Sequence, residues 1–262
     1  MEHEQIIINH YTAYDEDNRL LRPHGQVEYL TTQHYIHRYL QPGMRVLEVG
    51  AGTGRYTLAL AQEGWQVDAL ELVPHNIDIL NAHMTPGMAV AVRQGNALDL
   101  HCYENDCFDI TLVLGPMYHL FTDADKQKAI AEALRVTKPG GVLMVAYCNN
   151  DATLYDAGFR QGYNIMEWLE QGIVDEHFTC TSVPELVFEL VRKPDIDRLM
   201  VEFAAERLHF VGVDLMTNYI QEQVDAMDEE TFATYMRYHM QNCERTDMVG
   251  ISHHWLDVSR KL

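Results

Sequence analysis

Glu48-Val-Gly50-Ala-Gly52-Thr-Gly54 sets an acidic residue ahead of three alternate glycines, and Glu71 follows Gly50 by 21 positions. Glycines at a turn let the backbone come close to a ligand, and a helix opening behind them offers it unpaired N–H groups. A carboxylate at the end of the next strand can accept both hydroxyl hydrogens of a ribose, the role this spacing predicts for Glu71. The stretch therefore reads as a nucleotide-binding turn. The dinucleotide spacing G-x-G-x-x-G would need Gly or Ala at position 55, where this chain has Arg55. Further along, Tyr118-His119 follows the turn Gly115-Pro116, and an imidazole there is the best candidate for a base because it titrates near neutral pH.

Alternating elements must position these residues. Val46, Leu47 and Val49 predict a buried strand running into the glycine turn, and Tyr56–Glu63 continues with helical periodicity. Val67–Leu72 predicts a second strand, with Glu71 near its end, and Pro74–Met84 a helix with proline in its first turn. Strands follow at Ala89–Arg93, at Asp109–Leu114 and, after a helix over Asp123–Thr137, at Val142–Tyr147. This rhythm predicts an α/β fold with a doubly wound parallel sheet. Beyond Tyr147 it breaks into helical signals around Tyr163–Gln171, Pro184–Arg192, Asp195–Phe203 and Tyr219–Cys243, with strands at Arg207–Val213 and Ile251–Val258. Ligands in such sheets bind at the carboxyl ends of the strands, where inserted segments form caps.

Composition narrows the partners. Of 262 residues, 19 are Lys or Arg and 39 Asp or Glu, giving a formal net charge of −20. A surface that negative repels nucleic-acid phosphates and anionic membranes, and no run of basic residues relieves it, so neither partner is expected. No stretch approaches the ~18 apolar residues of a membrane span. Met-Glu-His-Glu-Gln lacks a basic segment followed by an apolar run, so no secretory leader is expected. Five scattered cysteines without a Cys-x-x-Cys pair fit reduced thiols in the cytoplasm.

The segment from Met44 to Tyr147 resembles the class I S-adenosylmethionine-dependent methyltransferase family, through Glu48–Gly54, Glu71, Gly95-Asn96-Ala97, Phe108–Leu120 and Leu134–Gly141. The resemblance implies a seven-stranded, mostly parallel Rossmann-like sheet with an antiparallel last strand. It implies one domain over 1–262: an N-terminal helical segment, 1–43, closing over the cofactor; a cofactor-binding core, 44–147; and helical cap insertions at 148–205 and 214–248. It makes S-adenosylmethionine the cofactor. Glu48 would orient its methionine portion, Gly50, Ala51 and Gly52 would pack on it, Glu71 would take the ribose, and Asn96 with Ala97 the adenine. Leu114 and Gly115 would lie beside the methyl, with Tyr11 and Arg19 closing over.

The implied activity is methyl transfer to a small molecule or short peptide, with His119 and Tyr118 as catalytic candidates and Tyr147, Asn149, His253 and His254 lining the acceptor site. The Asp/Asn-Pro-Pro-Tyr pattern used on base and glutamine nitrogens is absent at Gly115-Pro116-Met117-Tyr118. His253 and His254, with His239 and Cys243, match no established ligand spacing, so no metal is expected. The alternatives are an NAD-dependent oxidoreductase on a related sheet and a protein that binds S-adenosylmethionine without turning it over.

Overall fold

The computed structural model describes residues 2–14 and 16–262. Its sheet begins with β1 (Arg45–Val49), β2 (Gln66–Glu71), β3 (Val90–Gln94), β4 (Phe108–Val113) and β5 (Thr137–Asn149). β6 (Leu190–Val191), β7 (Ala205–Gly212) and β8 (His254–Lys261) complete it. The order is β3-β2-β1-β4-β5-β8-β7, with β8 antiparallel to both β5 and β7. The expected seven strands are joined by an eighth, the two-residue β6, which pairs parallel with Cys148 and Asn149.

Strand alternation sorts the core onto two faces. Leu47, Val49, Val113, Leu143 and Val145 pack on one side with α5 (Asp123–Val136) and Ile196 and Met200 of α8 (Lys193–Met200). Val46, Ile110, Leu112, Val142 and Met144 pack on the other with α2 (Pro23–Tyr39) and α3 (Arg55–Gln62). Each helix has a local reason to begin where it does. Pro23 sits in the first turn of α2, and the Thr122 hydroxyl caps α5 by accepting the N–H of Asp125 at 3.1 Å.

Two sequence expectations change in the second half. Helix was expected over Pro184–Arg192, but one 3-10 turn at Pro184–Leu186 gives way to β6. Val187 stands at φ +69°, a conformation that no β-branched residue adopts inside a helix, and it ends the turn. The helix expected over Tyr219–Cys243 is two, α9 (Gln221–Asp225) and α10 (Glu229–Asn242), because Asp228 caps the second through the N–H of Thr231 at 2.8 Å. α9 and α10 lie against α2. The remaining helices are α1 (Glu2–Ala13), α4 (Pro74–His83), α6 (Asn150–Leu154) and α7 (Ile165–Glu170). Among the described residues no helix is long and apolar enough to cross a membrane.

Candidate active site

The sheet order reverses between β1 and β4, and there, at the carboxyl ends of the strands, lies a cavity of about 500 Å³. Five strand ends contribute to it: Glu48 with Gly50, Ala51 and Gly52; Glu71; Asn96 with Ala97; Leu114 with Gly115; and Cys148. α1 and the segment after it add Tyr11 and Arg19, the turn after β4 adds Tyr118 and His119, and the start of β8 adds His254. Tyr147, Asn149 and His253 do not line it. Tyr147 is in the apolar core, the Asn149 amide donates to the carbonyls of Gly250 and Ser252, and His253 packs on Tyr219 at 4.8 Å between ring centres. The sequence expects these three at the acceptor site; the structure places them outside this cavity.

The glycine turn is built for close approach. Gly50 has φ +73°, and a Cβ there would stand 2.7 Å from Cδ of Pro116. Gly50→Ala is therefore expected to destabilise the fold by ~2 kcal/mol or more, from left-handed strain plus overlap. In a chain of this size that lowers the melting temperature by about 5 °C, readable by calorimetry.

Both acidic residues of the motif are buried and already hydrogen-bonded. Glu71 accepts the N–H of Gly52 at 2.7 Å and of Val73 at 2.9 Å, tying the ends of β1 and β2 together. Burial raises its pKa against those bonds. Glu48 accepts the Thr57 N–H at 2.9 Å and the Thr57 hydroxyl, and burial pushes its pKa up to about 8. Asn96 donates to Glu4 at 2.7 Å, while its amide oxygen accepts the N–H of Leu98 at 2.9 Å.

Arg19 makes a forked bond to Glu28, at 2.8 and 3.1 Å, and a third contact to Glu16 at 3.2 Å. His254 Nδ1 lies 2.7 Å from Asp214 and 3.8 Å from Glu28. Burial opposes its charge, but the fields of Asp214 and Glu28 outweigh it and hold the ring's pKa well above the usual imidazole range. Glu28, Asp214 and His254 are close enough to share an ion. The protons of Arg19, Ser252 and Asn218 already occupy the two carboxylates.

His119 has the opposite environment. Its Nδ1 is 2.8 Å from the Val187 carbonyl, and its Nε2 is 2.9 Å from the Tyr11 hydroxyl. A carbonyl can only accept, so Nδ1 carries the hydrogen and Nε2 keeps its lone pair. Burial lowers the pKa to about 4, leaving the ring neutral at pH 7. Two histidines in one cavity, each about 6 Å from the Tyr118 ring centre, are thus held in opposite protonation states. Sequence reasoning missed Cys148, Phe188 and the Val187 carbonyl. Phe188 and Val187 lie in a stretch whose helical signal the structure does not follow beyond Leu186.

Residues 46–141 match a family described as a methyltransferase domain. Over that segment the chain is similar to class I S-adenosylmethionine-dependent methyltransferases. It is 26% identical over 156 residues to a ubiquinone biosynthesis O-methyltransferase of Cereibacter sphaeroides, covering 59% of this chain and 61% of that one. It thus spans about three-fifths of the length of the curated relatives it matches. A solved S-adenosylmethionine-dependent methyltransferase from Methanosarcina mazei shares the fold with a TM-score of 0.57 at 18% identity, over 87% of this chain and 97% of that one. So does geranyl diphosphate C-methyltransferase of Streptomyces coelicolor, solved with S-adenosyl-L-homocysteine, with a TM-score of 0.56 at 14% identity, over 89% of this chain and 79% of that one.

Proposed function

We propose that this protein transfers a methyl group from S-adenosylmethionine to a small-molecule acceptor whose reacting atom carries a proton. The observation that carries the reading is the meeting of the glycine turn and Glu71 with a neutral, lone-pair-bearing His119 in one cavity. The residues suit the cofactor. The cavity is large enough for a nucleoside, Gly50 leaves room where a side chain would overlap Pro116, and Glu48 is a buried acid whose charge a ligand ammonium would stabilise.

When bound, S-adenosylmethionine supplies an activated methyl group. Glu71 would hold the ribose, Asn96 and Ala97 the adenine, and Glu48 the amino group. Leu114 and Gly115 would form the wall beside the methyl, with α1 excluding water. Arg19, already bound to Glu16 and Glu28, keeps those carboxylates paired rather than offering a free charge. In this reading residues 1–43 close the cofactor end and the 148–205 segment roofs the acceptor through Phe188.

His119 accepts the acceptor's proton. Once the acceptor atom has given its lone pair to carbon, its remaining proton is strongly acidic, so a base with a lowered pKa suffices. The relatives' name, an O-methyltransferase, supports oxygen as that atom. Five unpaired cysteines support a reducing, cytoplasmic setting.

The test is calorimetry with S-adenosylhomocysteine, followed by incubation with labelled S-adenosylmethionine and a small-molecule extract of the host. His119→Asn is expected to lower kcat about 100-fold with S-adenosylhomocysteine affinity nearly unchanged. Because burial lowers the His119 pKa, the acid limb of the wild-type rate is expected near pH 4 rather than 6.5. Failure to bind S-adenosylhomocysteine sinks the reading.

A further inference from the structure

Helix α1 presents Glu4, Ile7 and Tyr11 on one face, at i, i+3, i+7 spacing, and all three line the cavity. Both ends of that face are tied down, Glu4 to Asn96 at 2.7 Å and Tyr11 to His119 at 2.9 Å. The Tyr11 ring stands edge-on to His10 and His119, at 5.0 and 5.4 Å between ring centres. Since His119 Nε2 has only a lone pair to offer, the phenol donates its hydrogen there. A phenol oxygen that has donated still has lone pairs, and among the described residues no protein group donates to that of Tyr11.

The one lone pair of His119 that can take a proton is therefore covered. An acceptor could reach it directly only if Tyr11 swung away, which would break one of the two contacts that tie α1 over the cavity. The arrangement as it stands offers a shorter route. We propose that Tyr11 is a catalytic residue that relays the acceptor's proton to His119, an assignment that rests on the methyl-transfer reading above.

The acceptor's X–H group donates to the Tyr11 oxygen while the Tyr11 hydrogen is donated to Nε2. As the acceptor–methyl bond forms, the methyl–sulfur bond breaks and its electron pair stays on sulfur. The X–H proton then passes to the Tyr11 oxygen, and the Tyr11 proton passes to Nε2. Tyr11 ends as it began, a neutral phenol, and His119 ends as an imidazolium that returns its proton to water when the site opens. Burial raises the Tyr11 pKa, so the hydroxyl stays protonated at every working pH.

Val187 supports the relay from the other side of the ring. Its carbonyl fixes the tautomer, and its strained φ of +69° is what aims that carbonyl at Nδ1.

The test compares wild type, Tyr11→Phe, His119→Asn and the double variant, with labelled methyl transferred to the host extract as one readout. ¹⁵N NMR of His119 in the S-adenosylhomocysteine complex is the other. In the wild-type complex the spectrum is expected to show a neutral ring with hydrogen on Nδ1 and a hydrogen-bonded Nε2, the latter signal shifting in Tyr11→Phe. Both single variants are expected to lose about 100-fold in transfer while binding S-adenosylhomocysteine normally, and the double variant to lose no more than either. Normal binding of S-adenosylhomocysteine also shows that each variant is folded. A Tyr11→Phe protein that transfers as fast as wild type, or faster, overturns the relay. So does additive loss in the double variant. Wild type that binds S-adenosylhomocysteine but labels nothing overturns the parent reading, a result distinct from either.

Discussion

Replacing Glu71 by alanine is expected to lower affinity for S-adenosylhomocysteine by about 100-fold or more and to lower the melting temperature as well. Hydrogen bonds to a charged group contribute about 1.5–3 kcal/mol each, so losing the two that a ribose diol would make removes ~3 kcal/mol, or two orders of magnitude. The second effect comes from the protein itself. The carboxylate accepts the N–H groups of Gly52 and Val73, and truncation takes the partner from both, leaving the Val73 donor buried and unpaired. Glu71→Gln separates the two. Its amide oxygen can still serve one backbone donor, so most of the stability should return while the ligand affinity does not. Calorimetry that finds wild-type affinity in Glu71→Ala would remove this residue from the nucleotide site.

The first half of the fold was legible because its signals are local. An apolar strand, a glycine turn and an amphipathic helix follow one another in a few residues, and the alternation of Leu47 and Val49 against Val46 declares both faces buried. The second half was not, because parity there is set by long-range pairing. The sequence points Tyr147 and Asn149 at the cavity, yet the residue between them, Cys148, is the one that lines it. Its register partner across the antiparallel pair is His254, which also lines the cavity, while the adjacent His253 does not. A one-residue shift reverses which face a strand side chain reaches, and nothing in the sequence near Ile251 shows where β8 begins. The strand starts at His254, after a 3-10 turn at Val249–Ile251.

The network behind His254 was equally hidden. Glu28 comes from α2 and Asp214 from the loop after β7, 186 positions apart, and neither belongs to any motif. Together they turn His254 into a cation at the same cavity where His119 is neutral. Residue type alone would have given both rings the same pKa.

Binding of S-adenosylhomocysteine at pH 7 is expected to release nearly one proton, and Glu48 is its source. Burial is the main cause of its pKa of about 8, with the nearby Glu71 adding to it against the hydrogen bonds from Thr57. At pH 7 most molecules of the free protein therefore carry a protonated Glu48. A ligand ammonium beside it favours the carboxylate and returns its pKa toward the ordinary range, so the proton leaves as the ligand enters. Calorimetry in buffers of different ionisation enthalpy counts that proton directly, and Glu48→Gln is expected to abolish the release. The same residue leaves a mark on stability. Its folded pKa lies above the unfolded value of about 4.5, so the folded state keeps a proton that the unfolded state gives up. This contribution is fully present below pH 4.5 and is lost as the pH rises through 8, on the order of a few kcal/mol in total. Melting curves of the free protein should therefore show a loss of stability between pH 5 and 8 that Glu48→Gln removes. A release that persists in Glu48→Gln would place the titrating group elsewhere in the cavity.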